Sequence, residues 1–314
     1  MDLLAPAPQD HRPTPAEWRA FWARLLQAAG LGSLGAGVIF FVAANWQAWG
    51  LAGRFALLEA GLLICVAAAL WQSPPARIGQ GALLLATLFT GALLALFGQS
   101  YQTGADLYEL FLTWALLALP FALAALSGAV WATWWVVLDV GLGLLCGVLG
   151  LDHFFWLFLD GRGLDRATLL MLPCLANLAG AALFVQVGHT RFAAAAPPWL
   201  PRLLLCAGLG YGTAASLPHM SSHGPGVLLA YGLISLAMAG ATWTRRRDVF
   251  PLTALAGSWL VVSSVWLGHT LRFNDVGVLF LMAAWVIGSS TATAALLMRC
   301  ARQWRAMAAH GVAP

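Results

Sequence analysis

Asp139 is the residue whose placement most demands a chemical reason. It stands at the middle of Val136-Val137-Leu138-Asp139-Val140-Gly141, inside an apolar run from 130 to 150. An ionised carboxylate at the centre of a bilayer costs about 2.5–3.5 kcal/mol on insertion scales, so an acid there faces a helix bundle or a wet cavity. Desolvation at that depth favours the protonated acid, and no arginine falls at the same level of the sequence. Two roles fit: a proton-linked or substrate-binding group, or a neutral acid hydrogen-bonded to a neighbouring helix. Glu59, five residues after Arg54 and one turn inside its own run, can snorkel or pair locally. Asn177 and Gln186 in a later run suit hydrogen bonds between helices, or ligand contacts.

A second polar group gathers at the ends of apolar runs. Asn45 closes the first, and Gln99, Tyr101, Gln102, Thr103 and Asp106 follow the third, with Glu109 opening the fourth. These side chains hydrogen-bond and carry little positive charge, which suits a sugar, headgroup or amine. A structural cap is the alternative, with Asn45 and Gln99 satisfying terminal carbonyls and Tyr101 anchoring at the interface. His219 and His223 have the spacing that puts two imidazoles on one helix face, a weak signal for zinc or copper. Pro218 and Pro225 bracket them and disfavour a helix, so neither a metal nor another cofactor is expected. Cys65, Cys146, Cys174, Cys206 and Cys300 are dispersed and read as small buried apolar residues rather than a disulfide or zinc framework. No Gly-x-Ser-x-Gly elbow, His-Glu-x-x-His pair or phosphate-binding glycine loop occurs, and no catalytic residue is assigned.

The elements that must position these groups follow from composition. Of 314 residues, 61% are hydrophobic and 9% charged, and the mean hydropathy is +0.81. A soluble domain is about 25% charged, so a water-soluble fold and a nucleic-acid binder built on a basic surface are both excluded. Ten apolar runs are long enough, or nearly so, to cross a hydrocarbon core of about 30 Å: 28–45, 55–71, 81–98, 109–126, 130–150, 168–187, 203–218, 226–243, 250–268 and 276–298. They hold three of the 28 charges, Glu59, Glu109 and Asp139, where even scattering would place about seventeen. Apolar residues on every face indicate helices rather than the alternating strands of an outer-membrane barrel. The expected fold is an all-α, polytopic membrane helix bundle of about ten transmembrane helices.

Orientation follows from arginine, the sole basic type in the 16 Lys and Arg positions. With the N-terminus cytoplasmic, twelve arginines fall on inner segments and four, Arg54, Arg162, Arg166 and Arg272, on outer ones. That bias predicts both termini inside. The first 27 residues, polar and punctuated by proline, are not expected to be a cleavable signal. Thr14-Pro15-Ala16-Glu17 has the form of a capping box, and Trp18, Phe21, Trp22, Leu25 and Leu26 recur at helical spacing after it. The expected organisation is a cytoplasmic amphipathic helix over 1–27, a membrane domain over 28–298 and a basic cytoplasmic tail over 299–314. Gly30, Gly32, Gly35 and Gly37, Gly143 with Gly147, and Gly208 with Gly212 mark close helix packing. Pro120 and Pro173 should kink their spans and free a carbonyl for a neighbouring Thr, Ser or Asn. Five plus five spans allow the inverted repeat common among carriers, although the halves show no convincing similarity.

Two segments also resemble a known family. Gly37-Val38-Ile39-Phe40-Phe41-Val42-Ala43-Ala44-Asn45-Trp46 and Phe97-Gly98-Gln99-Ser100-Tyr101-Gln102-Thr103-Gly104-Ala105-Asp106 are similar to motifs of the bacterial predicted membrane proteins named domain of unknown function 2157, over roughly residues 20 to 160. The resemblance implies a multi-pass protein of the bacterial inner membrane, and it implies no activity. The residues themselves point first to a transporter or flippase-like carrier with an outer polar vestibule (Asn45, Gln99, Tyr101, Gln102, Asp106, Glu109) and a protonatable midplane Asp139. A non-catalytic subunit or assembly factor is the alternative, and a membrane-embedded lipid or glycan enzyme the third. Membrane lipids are the expected partners, with a membrane-protein partner or a second copy of the chain.

Overall fold

The computed structural model describes residues 14–72, 77–101, 104, 106–147, 166–217, 226–243, 248–271 and 276–309. Every long element among them is a helix: α1 Pro15–Asn45, α2 Leu51–Trp71, α3 Arg77–Tyr101, α4 Leu107–Ala125, α5 Gly128–Leu145, α6 Arg166–Val187, α7 Trp199–Ala215, α8 Gly226–Ala241, α9 Val249–Leu271 and α10 Val276–Ala309. Each takes up one of the ten apolar runs. Helices satisfy every main-chain group within the segment, as hydrocarbon requires. The protein is therefore an all-α, multi-pass membrane helix bundle. Among the described residues, seven helices, α2 to α6, α9 and α10, are long and apolar enough to cross a membrane by length and composition. Helices α7 and α8 have 17 and 16 residues, about 25 Å of helix each, and are shorter than those seven.

The chain divides into two compact units, residues 1–57 and 58–314, with the boundary inside α2. In the first, the capping box forms as the sequence requires: Thr14 N and Oγ1 donate to Glu17 Oε2 at 2.7 and 3.0 Å, and Glu17 N donates to Thr14 Oγ1 at 3.3 Å. Pro15 occupies the first helical position, where its missing N–H costs nothing. Trp18, Phe21 and Trp22 then form an exposed aromatic cluster, and the helix runs without a break from this amphipathic half into the apolar one. At the far end Arg54 Nε donates to the carbonyls of Trp46 and Trp49, both at 3.0 Å, and its guanidinium lies over the Trp46 ring. This one side chain closes the turn between α1 and α2.

The Thr14 hydrogen bonds hold the Glu17 carboxyl below the usual glutamate range. A depressed pKa means that the cap contributes at pH above the ordinary value and is lost as pH falls through the lowered one. Side-chain NMR titration of Glu17 should show the depressed midpoint, and Thr14→Ala should return it to the ordinary range; an unchanged midpoint in that variant would refute the box.

In the second unit small residues set the helix spacing. Ala115, Ala118, Ala122 and Ala125 are all buried and recur every three or four positions along α4. Gly79, Ala82, Ala86 and Thr90 do the same on α3. Such seams bring backbones close, which is the main source of attraction between helices in lipid. Tryptophan supplies the polar glue: Trp114 Nε1 donates to Thr87 O at 2.7 Å, Trp134 Nε1 to Ala115 O at 2.7 Å, and Trp266 Nε1 to Ser216 O at 2.8 Å. Many Ser and Thr hydroxyls instead bond the carbonyl one turn back on their own helix, as Thr87, Thr90 and Thr133 do.

Two details of α5 and α6 correct the sequence reading. Helix α5 stops at Leu145, short of 150, because Gly147 takes φ +67° and its N–H bonds Leu144 O at 2.9 Å. Gly147 is thus a helix terminator and no packing partner for Gly143. Pro173 in α6 cannot bond the Leu169 carbonyl, and the group that takes it is Cys146 Sγ at 3.3 Å, a thiol rather than the expected Thr, Ser or Asn.

At one end of this unit Arg202 approaches Asp248 at 3.6 Å and lies over the Phe250 ring, while Trp243 meets Trp304 edge-to-face. The starts of α7 and α9 therefore share an end with the final turns of α8 and α10. That is the alternation expected of successive spans.

Candidate functional site

Asp139 sits on the face of α5 that also carries Trp135, one turn earlier. Opposite, α6 presents Pro173, Asn177 and Gly180. The helices approach closely because Gly180 has no side chain: a Cβ there would fall onto the Trp135 ring. Helix α7 approaches α6 for the same reason, since a Cβ on Gly208 would lie 3.0 Å from the Leu178 side chain and 3.1 Å from Cys174 O. Asn177 is consequently fully buried.

The hydrogen bonds follow from that burial. Asn177 Nδ2 donates to Asp139 Oδ1 at 2.5 Å and to Pro173 O at 3.0 Å, using both amide hydrogens. From α7, Tyr211 Oη donates to the main-chain oxygen of Asp139 at 2.9 Å. Three helices thus meet on one half-buried acid. The Pro173 carbonyl sets which way the amide faces, and Asn177 Oδ1 is left with no hydrogen-bond partner among the described residues. A buried polar atom in that condition costs about 1–3 kcal/mol. Trp135 Nε1 is likewise buried and unpartnered among the described residues. The one ion pair among the described residues is Arg202 with Asp248, so no arginine neutralises Asp139 there.

A second polar cluster extends from α7 to α8 and α9. Thr213 Oγ1 lies 2.7 Å from Ser258 Oγ, which also shares a 2.5 Å hydrogen bond with the hydroxyl of the fully buried Tyr231. Sequence reasoning missed Tyr211, Thr213, Tyr231 and Ser258. Each is an isolated hydroxyl within an apolar run, and the signal open to view was their shared occurrence in three consecutive spans. Between α6 and α8 lies an apolar groove of about 460 Å³, lined by Leu178, Ala179, Ile234 and Met238 among others; Asp139 does not line it.

The proposed outer residues fall elsewhere. Asn45 ends α1 in the first unit. In the second, Gln99 and Tyr101 end α3 exposed, with Tyr101 against the Phe97 ring. Asp106 precedes α4 without a side-chain capping bond, and Glu109 in its first turn accepts from Tyr108 Oη at 3.4 Å. Glu59 is exposed on α2. Gln102, His219 and His223 lie outside the described residues. No cluster of three His, Cys, Asp or Glu side chains occurs among the described residues.

The two motifs therefore flank α2 and α3, within the part of the chain that carries the family likeness. Residues 3–131 match the model of DUF2157, described as a predicted membrane protein. The DUF2157 match starts earlier than the expected residue 20 and stops short of 160. It takes in α1 to α4 and the first turn of α5, with Asn45, Gln99, Tyr101, Gln102, Asp106 and Glu109, and it ends before Asp139, Asn177 and Tyr211. No curated protein and no solved structure matches the chain. The Asp139 site thus lies beyond the DUF2157 region.

Proposed function

We propose that the protein is a carrier of the bacterial cytoplasmic membrane, with both termini inside and Asp139 as its protonatable midplane group. The observation that supports this reading is a lone acid at the middle of a span, hydrogen-bonded by a fully buried amide and without a cationic partner among the described residues. Such groups in membranes mark ion and substrate paths. Pro173 supports it further, because a proline-bearing helix beside a polar site is a recurrent carrier device. The apolar groove on α6 next to Leu178 suits a hydrocarbon tail and makes an amphipathic molecule the favoured substrate. The end of α3 and the start of α4, with Gln99, Tyr101, Asp106 and Glu109, form the proposed outer vestibule.

Native mass spectrometry of the purified full chain tests this. A copurifying lipid or metabolite should be retained by the wild type and lost from Asp139→Asn; equal retention would remove Asp139 from the site. A second reading, a non-catalytic membrane subunit, draws on α10, whose apolar span has no buried residue. It predicts a stoichiometric membrane partner in mild-detergent purification, unaffected by Asp139→Asn.

A further inference from the structure

We propose that α1 pairs with α1 of a second copy of this chain, in a parallel coiled coil that runs from the charged half of the helix through its apolar half. Steps of four and three residues alternate without a fault from Trp18 to Ala43, the spacing of a left-handed two-helix seam. The first half of that seam is Trp18, Trp22 and Leu25, all exposed. The second half takes up Ala29, Gly32 and Ala36, with Ile39 and Ala43 after them. Each half holds the residue types that associate in its own solvent: large apolar side chains leave water on pairing, and small residues let backbones close up in lipid. Glu17, Arg19 and Arg24 all fall off the seam. Phe21 and Leu26 flank it on opposite sides, both exposed and five residues apart, so in a parallel pair Phe21 of one copy meets Leu26 of the other.

Helix geometry selects a second copy over the membrane surface as the occupant. Helix α1 has no break from Pro15 to Asn45, 31 residues and about 46 Å of axis. A hydrocarbon core takes about 30 Å of it, so the aromatic half continues along the axis of the span and does not lie flat on a leaflet. Copies of one sequence insert in one direction, which makes the pair parallel and brings like residues to the same level. The pairing does not rest on the carrier reading.

The test is disulfide cross-linking of cysteines placed singly at alanines of α1, in the full chain and in vesicles of low protein density, with the wild type setting the background of the five native cysteines. Ala29→Cys and Ala36→Cys, on the seam, should give dimer at about ten times the yield of Ala20→Cys and Ala23→Cys on the other face, because a disulfide needs Cα atoms within about 7 Å. Single-molecule subunit counting of the wild type should find two copies. Trp22→Arg should weaken the pairing about tenfold or more, and Ala23→Arg should leave it unchanged. Trp22 is exposed, so its substitution spares the packed interior, and the alanine series needs no disruptive variant at all. Equal yields around the helix, or a single copy throughout, overturn the proposal; a single copy whose seam meets lipid or a different protein counts the same way.

Discussion

Gly212→Ala should lower the unfolding midpoint of the purified protein by roughly 5 °C or more, a cost of about 1–3 kcal/mol, while Gly210→Ala, two residues away on α7, leaves it unchanged or raises it. A Cβ on Gly212 would fall onto Cε2 of Tyr231 and within 2.6 Å of its Cδ2. The ring has nowhere to go. Tyr231 is fully buried, its ring stacks on Trp259 with centroids 5.6 Å apart, and its hydroxyl bonds Ser258. Gly210 has nothing within 4 Å of the same construction, so alanine there returns the helix propensity that glycine forgoes, about 0.5–1 kcal/mol. Differential scanning calorimetry or dye-based unfolding in detergent reads both variants. Equal effects would show that the α7–α8 contact is not set by this glycine.

Asn177→Leu should be the most damaging polar substitution, and Asp139→Leu in the same chain should partly rescue it. A hydrogen bond between membrane helices averages about 0.6 kcal/mol, too little to matter much on its own. The larger penalty lies in what remains. Leucine leaves the buried Asp139 carboxyl without the amide that now donates to Oδ1, and a buried polar group left without its partner costs about 1–3 kcal/mol. Removing both partners leaves apolar groups facing each other and avoids that cost. A double-mutant cycle on unfolding in mild detergent therefore yields a coupling energy of about 1–3 kcal/mol. A double variant no more stable than Asn177→Leu alone would show that the two residues do not depend on each other.

The membrane class and the helix positions were legible without coordinates, because burying a polypeptide in hydrocarbon demands long uncharged runs with internally bonded backbones, and composition records both. Thr14 and Glu17 were legible for a similar reason: a capping box is a contact between residues three apart. Asp139 stood out because one charge in an apolar run is visible in a string of letters. Its neighbours were not. Asn177 lies 38 positions away and Tyr211 72, and an isolated polar side chain in a span carries no mark of the helix it faces. Pro173 announced a freed carbonyl, but that a thiol at position 146 fills it depends on how α5 ends against α6. Gly143 and Gly147 had the spacing of a packing pair, yet Gly147 ends the helix with a positive φ, since the same residue serves a close approach or a turn. Local periodicity and charge depletion thus specify which segments are helices and which acid is buried. Which side chains meet that acid, and which amide oxygen beside it remains without a donor, are set by helix packing through small residues far apart in the chain.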